Sequence, residues 1–196
     1  MSVDVRHTSR LINIEEIMSA PTFVDLQGFI LNKRFIVKEA AILRRGYILS
    51  HYFFESPVPW SLLLKSERRQ ASWLTHRHHG LQWEDGNVPY CMAQRLITAA
   101  IIGVNEQEEE EESSLVYVKG LDKREWLVDI MDDEGSDFNI ETLDAVYEDV
   151  PSLNKLDPTY SLRCVKHTKN CALQNVFKLF NWWSRNRDDS PYPYFE

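Results

Sequence analysis

Two of the three cysteines and one of the six histidines lie within a single short stretch near the end of the sequence. They are Cys164, His167 and Cys171, in a Cys-x2-His-x3-Cys arrangement. If this stretch is helical, spacings of three and four residues place both sulfurs and the imidazole on one face, where they converge on one ion. Zinc takes thiolate and imidazole ligands in a tetrahedral site, so a fourth ligand must come from elsewhere in the chain.

The same spacing also suits the buried face of an amphipathic helix. Free cysteines in such a face pack as small apolar side chains and bind nothing. The spacing alone therefore leaves metal binding and core packing open as alternatives.

The length and composition indicate one globular domain. The chain has 196 residues, of which 43% are apolar and 12% aromatic, enough to bury a full core. It has no secretory signal and no apolar run of about 20 residues, so we expect an intracellular protein, cytoplasmic or nuclear, with reduced thiols and no membrane contact.

The net charge of −8 argues against a broadly basic nucleic-acid-binding protein. Much of the acid, however, lies in one run, Glu106–Glu112, which we interpret as part of a solvated acidic loop over 105–114. A basic surface elsewhere in the chain is compatible with this distribution.

Aromatic and β-branched residues predict an antiparallel meander near the start of the chain, because short polar turns separate three strand-like runs. The three strands are predicted over 22–30, 34–43 and 47–54. Later strands are predicted over 115–119 and 138–143, and helices over 60–73, 90–102, 122–131 and 170–185. 

This order predicts an α/β fold with a mixed sheet, the three-strand meander plus further strands, flanked by helices. It is the order of the ribonuclease H-like exonuclease fold, although several α+β folds also satisfy it. We expect an N-terminal extension over 1–20, the domain over 21–186 and a flexible, proline-broken tail over 187–196.

With that order, the chain resembles the DEDDh exonucleases and, more specifically, the Maelstrom domain, a ribonuclease H-like domain with a Glu-Cys-His-Cys zinc set in place of the exonuclease acids. The resemblance covers roughly Pro21 to Trp183 and rests on the Cys-x2-His-x3-Cys motif and on a glutamate in the second strand. It implies zinc on Glu39, Cys164, His167 and Cys171. Whether Glu39 contacts the ion or orients His167 stays open.

The residues of a two-metal exonuclease are largely replaced. Such an enzyme needs several carboxylates around its divalent ions, beginning with Asp-x-Glu in the first strand. Here that position reads Asp25-Leu-Gln27, and the acid nearest the fourth strand, Asp122, stands between Lys119 and Lys123. A lysine in that pocket would compete with a divalent cation, so we predict that this chemistry is absent.

The resemblance implies a role in RNA silencing, with single-stranded RNA or silencing-pathway proteins as partners. It also makes metal-independent cleavage of single-stranded RNA an alternative. Histidines serve as general acids and bases in such cleavage. The candidates are His51, His76, His78 and His79, and the last three alternatively belong to a surface loop.

Basic residues interleaved with tryptophans predict a surface for single-stranded RNA, which is bound through its phosphates and stacked bases. The candidates are Arg44, Arg45, Lys65, Arg68, Arg69 and Arg77, near Trp60, Trp73 and Trp83. Alternatively, the tryptophans belong to the core and the cations form only the solvated side of a helix. A catalytically silent protein-interaction module is then the competing function.

Overall fold

The computed structural model describes residues 20–103, 115–131, 138–166 and 169–187. Within these ranges a five-stranded mixed sheet is flanked by helices, which confirms the predicted α/β class. Four sequence predictions fall wholly or largely outside the described residues: the N-terminal extension apart from Ala20, the acidic loop, His167, and the tail after Arg187.

The sheet has the strand order β3-β2-β1-β4-β5. The strands are β1 (Thr22–Leu31), β2 (Arg34–Arg44), β3 (Ile48–Phe53), β4 (Val116–Val118) and β5 (Ile140–Thr142). The first three form the predicted antiparallel meander, and β4 and β5 extend it in parallel from β1. The last strand is shorter than predicted.

Local chemistry explains the turn and the irregularity of the first hairpin. Asn32 and Lys33 both have positive φ, as a two-residue turn matched to the strand twist requires. Farther along, Gln27 pairs with Glu39 but Gly28 pairs with Val37, so β2 carries one extra residue. A Cβ on Gly28 would clash with the Ile36 carbonyl, so this bulge requires glycine.

Five α-helices accompany the sheet in the described ranges. They are α1 (Lys65–Leu74), α2 (Ala93–Ile102), α3 (Leu121–Met131), α4 (Leu143–Val146) and α5 (Ala172–Asn186). A single π-helical turn, Thr75–His79, continues α1, and 3-10 turns, Trp60–Leu62 and Tyr90–Met92, precede α1 and α2. The sequence did not predict α4. No helix in this part of the chain is long and apolar enough to cross a membrane.

Alternation along β1 divides the core into two layers. Val24 and Leu26 join a cluster with α2 and α3, whereas Phe23 joins a cluster with α5. A smaller third cluster lies around Phe29 and Trp83. Because successive side chains of a strand point to opposite faces, Asp25 and Gln27 lie on the α5 face. The sheet therefore presents polar side chains to α5.

The helix that the sequence considered as a condition for the cysteine stretch is not found in its described residues. The described residues between Ser161 and Cys171 are not helical, and α5 begins only at Ala172. Asn170 has a positive φ of 44°, which a continuing right-handed helix does not allow. Cys164 and Cys171 therefore do not lie on one helical face.

Candidate metal centre

Glu39 is the buried carboxylate on which this site is built. Its Oε2 accepts the backbone N–H of Ala172 at 3.0 Å, and its Oε1 lies 2.9 Å from Nε2 of His51 on β3. The first N–H groups of a helix lack partners within the helix, and the helix dipole favours a negative charge there. Glu39 therefore caps α5 from the neighbouring sheet.

The two cysteine sulfurs of the predicted set lie beside this carboxylate. Cys171 is the N-cap residue of α5, and its Sγ is 4.0 Å from Glu39 Oε1 and 3.4 Å from the backbone nitrogen of Cys164. One ligand atom from each of the three residues lies within 4.8 Å of the others. Three of the four predicted ligands are thus close enough to hold one ion.

The donor types fit a soft or borderline cation such as zinc. Ligand atoms of a tetrahedral zinc lie about 3.3–3.8 Å apart, so a small inward adjustment brings this set to bonding distance. Burial raises the pKa of the Cys164 thiol to about 11, and the charges of Glu39 and Cys171 act in the same direction. A bound cation would offset this cost and favour the thiolate. The fourth predicted ligand, His167, stays a prediction.

His51, one of the predicted catalytic histidines, lies in this site. Its side chain is 18% exposed and contacts the fully buried Glu39 from the adjacent strand. A histidine in this position orients the carboxylate and limits its rotation. The sequence did not assign it this role, because only the pairing of β2 with β3 brings the two residues together.

A second buried carboxylate, Asp25, lies on the same face of the sheet. It forms an ion pair with Lys123 of α3, and it accepts hydrogen bonds from Asn175 at 2.9 Å and Gln27 at 3.1 Å. Its cationic partner is therefore an ammonium group and its other partners are amides. Lys123 is one of the two lysines that the sequence placed near this pocket, whereas Lys119 pairs with Asp144.

The histidine-rich turn after α1 is only partly a surface feature. His79 is fully buried, with Nε2 3.0 Å from the Gly28 carbonyl oxygen and Nδ1 3.0 Å from the backbone N–H of Leu81. The surface-loop interpretation is therefore wrong for His79, which joins the turn to β1. His76 and His78 are exposed, and His78 contacts Asn170.

The predicted RNA-binding residues on α1 divide into two groups. Lys65 and Arg69 are exposed, and Trp73, four residues farther along the same face, is 62% exposed. Arg77 is exposed in the turn that follows. Arg68 instead donates hydrogen bonds to the Leu63 and Ser61 carbonyl oxygens and holds the start of the helix.

The other predicted RNA-binding residues and tryptophans occupy different environments. Arg44 and Arg45 are half-buried at the β2–β3 turn, where the Arg44 guanidinium lies against Gly103 at the end of α2. Trp83 is 2% exposed and donates to the Val58 carbonyl oxygen, so it belongs to the core. The core interpretation is right for Trp83 and wrong for Trp73.

Two comparisons of the sequence with known proteins identify no relative. A scan against models of protein families finds no match, and a search of curated proteins finds no significant similarity. The Maelstrom resemblance therefore stays a prediction based on residues and fold order.

Proposed function

We propose that this protein is a zinc-stabilised, ribonuclease H-like domain of the Maelstrom type that binds single-stranded RNA in RNA silencing and does not perform two-metal exonuclease chemistry. The observation that carries the proposal is the meeting of Glu39, Cys164 and Cys171 at the start of α5. The sheet supports it, because an antiparallel meander extended by parallel strands is the arrangement that the resemblance implies.

In this proposal the metal has a structural role. His167 would complete a set of four protein ligands, which leaves no coordination position for water or substrate. Bound zinc would supply a cross-link between β2 and the start of α5. Its positive charge would balance the negative charge of the carboxylate and thiolate ligands. Glu39, positioned by His51 and by the Ala172 N–H, would hold its ligand oxygen in place.

The side chains that contact Asp25 support the proposal that two-metal exonuclease chemistry is absent. Two-metal hydrolysis requires carboxylates that are free to hold divalent ions about 4 Å apart. Here the Asp25 carboxylate contacts the Lys123 ammonium and two side-chain amides. A divalent ion would have to displace that lysine before it could bind.

RNA binding is supported by an exposed stripe on α1 formed by Lys65, Arg69 and Trp73. Their spacing of four residues places them on one face of the helix. Two cations beside a tryptophan that is 62% exposed provide phosphate contacts and a stacking surface for a base. The exposed Arg77 extends the positive surface beyond the helix.

Elemental mass spectrometry of protein purified without added metal tests the zinc site. We expect about one zinc per chain in the wild type, as one four-ligand site requires, and close to none in Cys171→Ala. Cys91→Ala is the matched control, because Cys91 is exposed and does not belong to the donor cluster. Metal-free wild-type protein, or equal zinc in both variants, would contradict the site.

Fluorescence anisotropy with a labelled 12-nucleotide oligouridylate tests RNA binding. Lys65→Glu with Arg69→Glu should weaken binding at least about tenfold and reduce its dependence on salt, because two phosphate contacts are lost. Arg95→Glu, on the exposed side of α2, is the control for a charge reversal away from α1 and carries half the change in net charge. Binding that is insensitive to both salt and the α1 changes would refute the RNA interface.

A protein-interaction module is the second candidate function. The observation that favours it is the exposure of Leu62 and Leu64, at 69% and 63%, immediately before α1. Exposed leucines of this size suit a protein interface better than a phosphate backbone. Partner binding that is lost in Leu62→Ser with Leu64→Ser, with RNA affinity unchanged, would support the module.

A further inference from the structure

The two cysteines of the donor cluster are also close enough to react with each other. The Sγ atoms of Cys164 and Cys171 lie within 4.8 Å, and the Cys171 Sγ is 3.4 Å from the backbone nitrogen of Cys164. A disulfide requires Cα atoms that are no more than about 7 Å apart. The contact between the Cys171 sulfur and the Cys164 main chain keeps the two Cα atoms near this range. A local adjustment of the segment between them is therefore enough to join the sulfurs.

The irregular backbone of this segment is what permits the approach. In a continuous α-helix, residues seven positions apart are separated by about 10.5 Å along the axis, which is beyond the reach of a disulfide. Here the described residues before α5 are not helical, and Asn170 has a φ of 44°. The departure from helical geometry thus allows a bond that a helix with the same spacing would forbid.

The two sulfurs differ in their access to solvent. Cys164 is half-buried, whereas Cys171 is 1% exposed at the N-cap of α5. A dissolved oxidant therefore meets Cys164 first, and Cys171 is placed to react second. Burial raises the pKa of the Cys164 thiol to about 11, which slows its attack at neutral pH. The disulfide product carries no charge, so burial beside the Glu39 carboxylate does not oppose it.

The third cysteine lies outside this arrangement. Cys91 is in the 3-10 turn Tyr90–Met92, and Tyr90 packs against the core cluster of α2 and α3. Glu39 and Cys171 meet instead on the α5 side of the sheet. Because Cys91 is exposed, it serves as an isolated reference thiol in the same molecule.

We propose that Cys164 and Cys171 form a reversible disulfide by exchange with a low-molecular-weight disulfide such as oxidised glutathione. The Cys164 thiolate attacks one glutathione sulfur, forms a mixed disulfide and releases the first glutathione thiolate. The Cys171 thiolate then attacks the Cys164 sulfur, which forms the protein disulfide and releases the second glutathione. The cysteines together lose two electrons and two protons, and both end on the two glutathione thiols.

Oxidation would remove both thiolate ligands from the proposed zinc site. The Glu39 carboxylate would keep its contacts with His51 and with the Ala172 N–H, so the start of α5 would stay capped. The disulfide would therefore release the metal and leave the helix start in place. This release rests on the proposed zinc site, whereas the disulfide rests on the positions of the two sulfurs alone.

Equilibration of the protein as purified with oxidised glutathione tests the pair. Alkylation of the remaining thiols and mass spectrometry of the intact chain measure the product, and a zinc indicator dye measures released metal. We expect the loss of two hydrogen atoms, one alkylated cysteine, and about one zinc released per disulfide. Cys91→Ala should form the same disulfide and leave no alkylated thiol.

Cys164→Ser with Val165→Cys is the matched control for the position of the sulfur. It moves one thiol by a single residue to a fully exposed position, and the loop to Cys171 keeps almost the same length. A flexible chain would close either loop about equally. We expect the shifted variant to form at least about tenfold less disulfide and to accumulate the mixed disulfide with glutathione, because its effective thiol concentration is lower.

The outcomes separate this inference from the proposed zinc site. Three reduced cysteines at equilibrium, or a stable glutathione adduct on Cys164, would overturn the pair whatever the zinc content. Equal disulfide in the shifted variant would also overturn it, because the fold would then not position the sulfurs. A disulfide in wild-type protein that contained no metal would support the pair and contradict the zinc site.

Discussion

Two buried carboxylates, Asp25 and Glu39, lie on adjacent strands, face the same helix and have opposite surroundings. Asp25 contacts a lysine ammonium and two amides, so its cation is part of the chain. Glu39 contacts an imidazole, a backbone N–H and a sulfur. The comparison shows that position in the fold does not decide which groups surround a buried carboxylate. The neighbouring elements decide: α3 and α5 bring Lys123 and Asn175 to Asp25, whereas β3 and α5 bring His51 and the Ala172 N–H to Glu39.

Removal of the proposed metal should produce the largest effect, because in that proposal the Glu39 site depends on an external cation. We expect a strong chelator to lower the stability of the wild type by more than about 5 kcal/mol and to have little effect on Cys171→Ala. Thermal unfolding followed by circular dichroism, with and without chelator, measures this. An equal loss of stability in the wild type and in Cys171→Ala would contradict the dependence of the Glu39 site on a metal.

Removal of the internal cation, Lys123, should have the next largest effect on stability. Lys123→Ala leaves the fully buried Asp25 without its ion pair, which costs about 3–5 kcal/mol. Urea denaturation measures the loss, and elemental analysis should find the zinc content unchanged.

The double variant Lys123→Ala with Asp25→Asn is the control for this prediction. It removes the buried charge as well, so it should recover at least about half of the lost stability. If the double variant is no more stable than Lys123→Ala, the ion pair is not the reason for the loss.

A third buried ion, Lys38, should show a smaller and pH-dependent effect. Its ammonium contacts Ser56 and the carbonyl oxygens of Trp83 and Asp85, and burial lowers its pKa from 10.5 to about 8. Asp85 raises this pKa, so its charge offsets only part of the burial. Lys38 therefore has weaker compensation than Lys123, which pairs directly with a carboxylate.

The sign of the pH effect follows from the lowered pKa. Below pH 8 both folded and unfolded states are protonated, so the cost of the buried charge is fully present. Between about pH 8 and 10.5 the folded protein releases the proton first, so stability should rise, by at most about 3 kcal/mol. Urea denaturation across this range should show the rise in the wild type and not in Lys38→Gln. An equal rise in the stability of Lys38→Gln would show that other titrating groups cause the pH effect.

The sequence predicted the parts of the fold that depend on local pattern. Runs rich in aromatic and β-branched residues, separated by short polar turns such as Asn32-Lys33, indicated the meander, and the structure confirms it. The sequence did not predict the β-bulge that leaves Lys38 as the extra residue of β2. This bulge depends on the fit of Gly28 against the neighbouring strand. Nor could the sequence show that the cysteine segment is irregular, since the same spacing suits a helix.

The Glu39 and Asp25 sites show the same limit of prediction from sequence. The resemblance selected Glu39 together with the cysteines, and the structure brings Glu39, Cys164 and Cys171 together. The sequence placed Lys123 near the pocket but did not identify Asn175 as a partner of Asp25. Asp25 and Asn175 are 150 residues apart, and only the packing of α5 on β1 joins them. Contacts of this range depend on tertiary structure and leave no local pattern.

The contact between Cys171 and Glu39 also constrains the order of assembly. It joins residues 132 positions apart, so closing it is entropically costly until the intervening chain is compact. During synthesis the whole meander leaves the ribosome long before the first residue of α5 does. A growing chain can therefore pair its first three strands while the donor cluster is still incomplete. Metal uptake would then mark completion of the domain and would not initiate its folding.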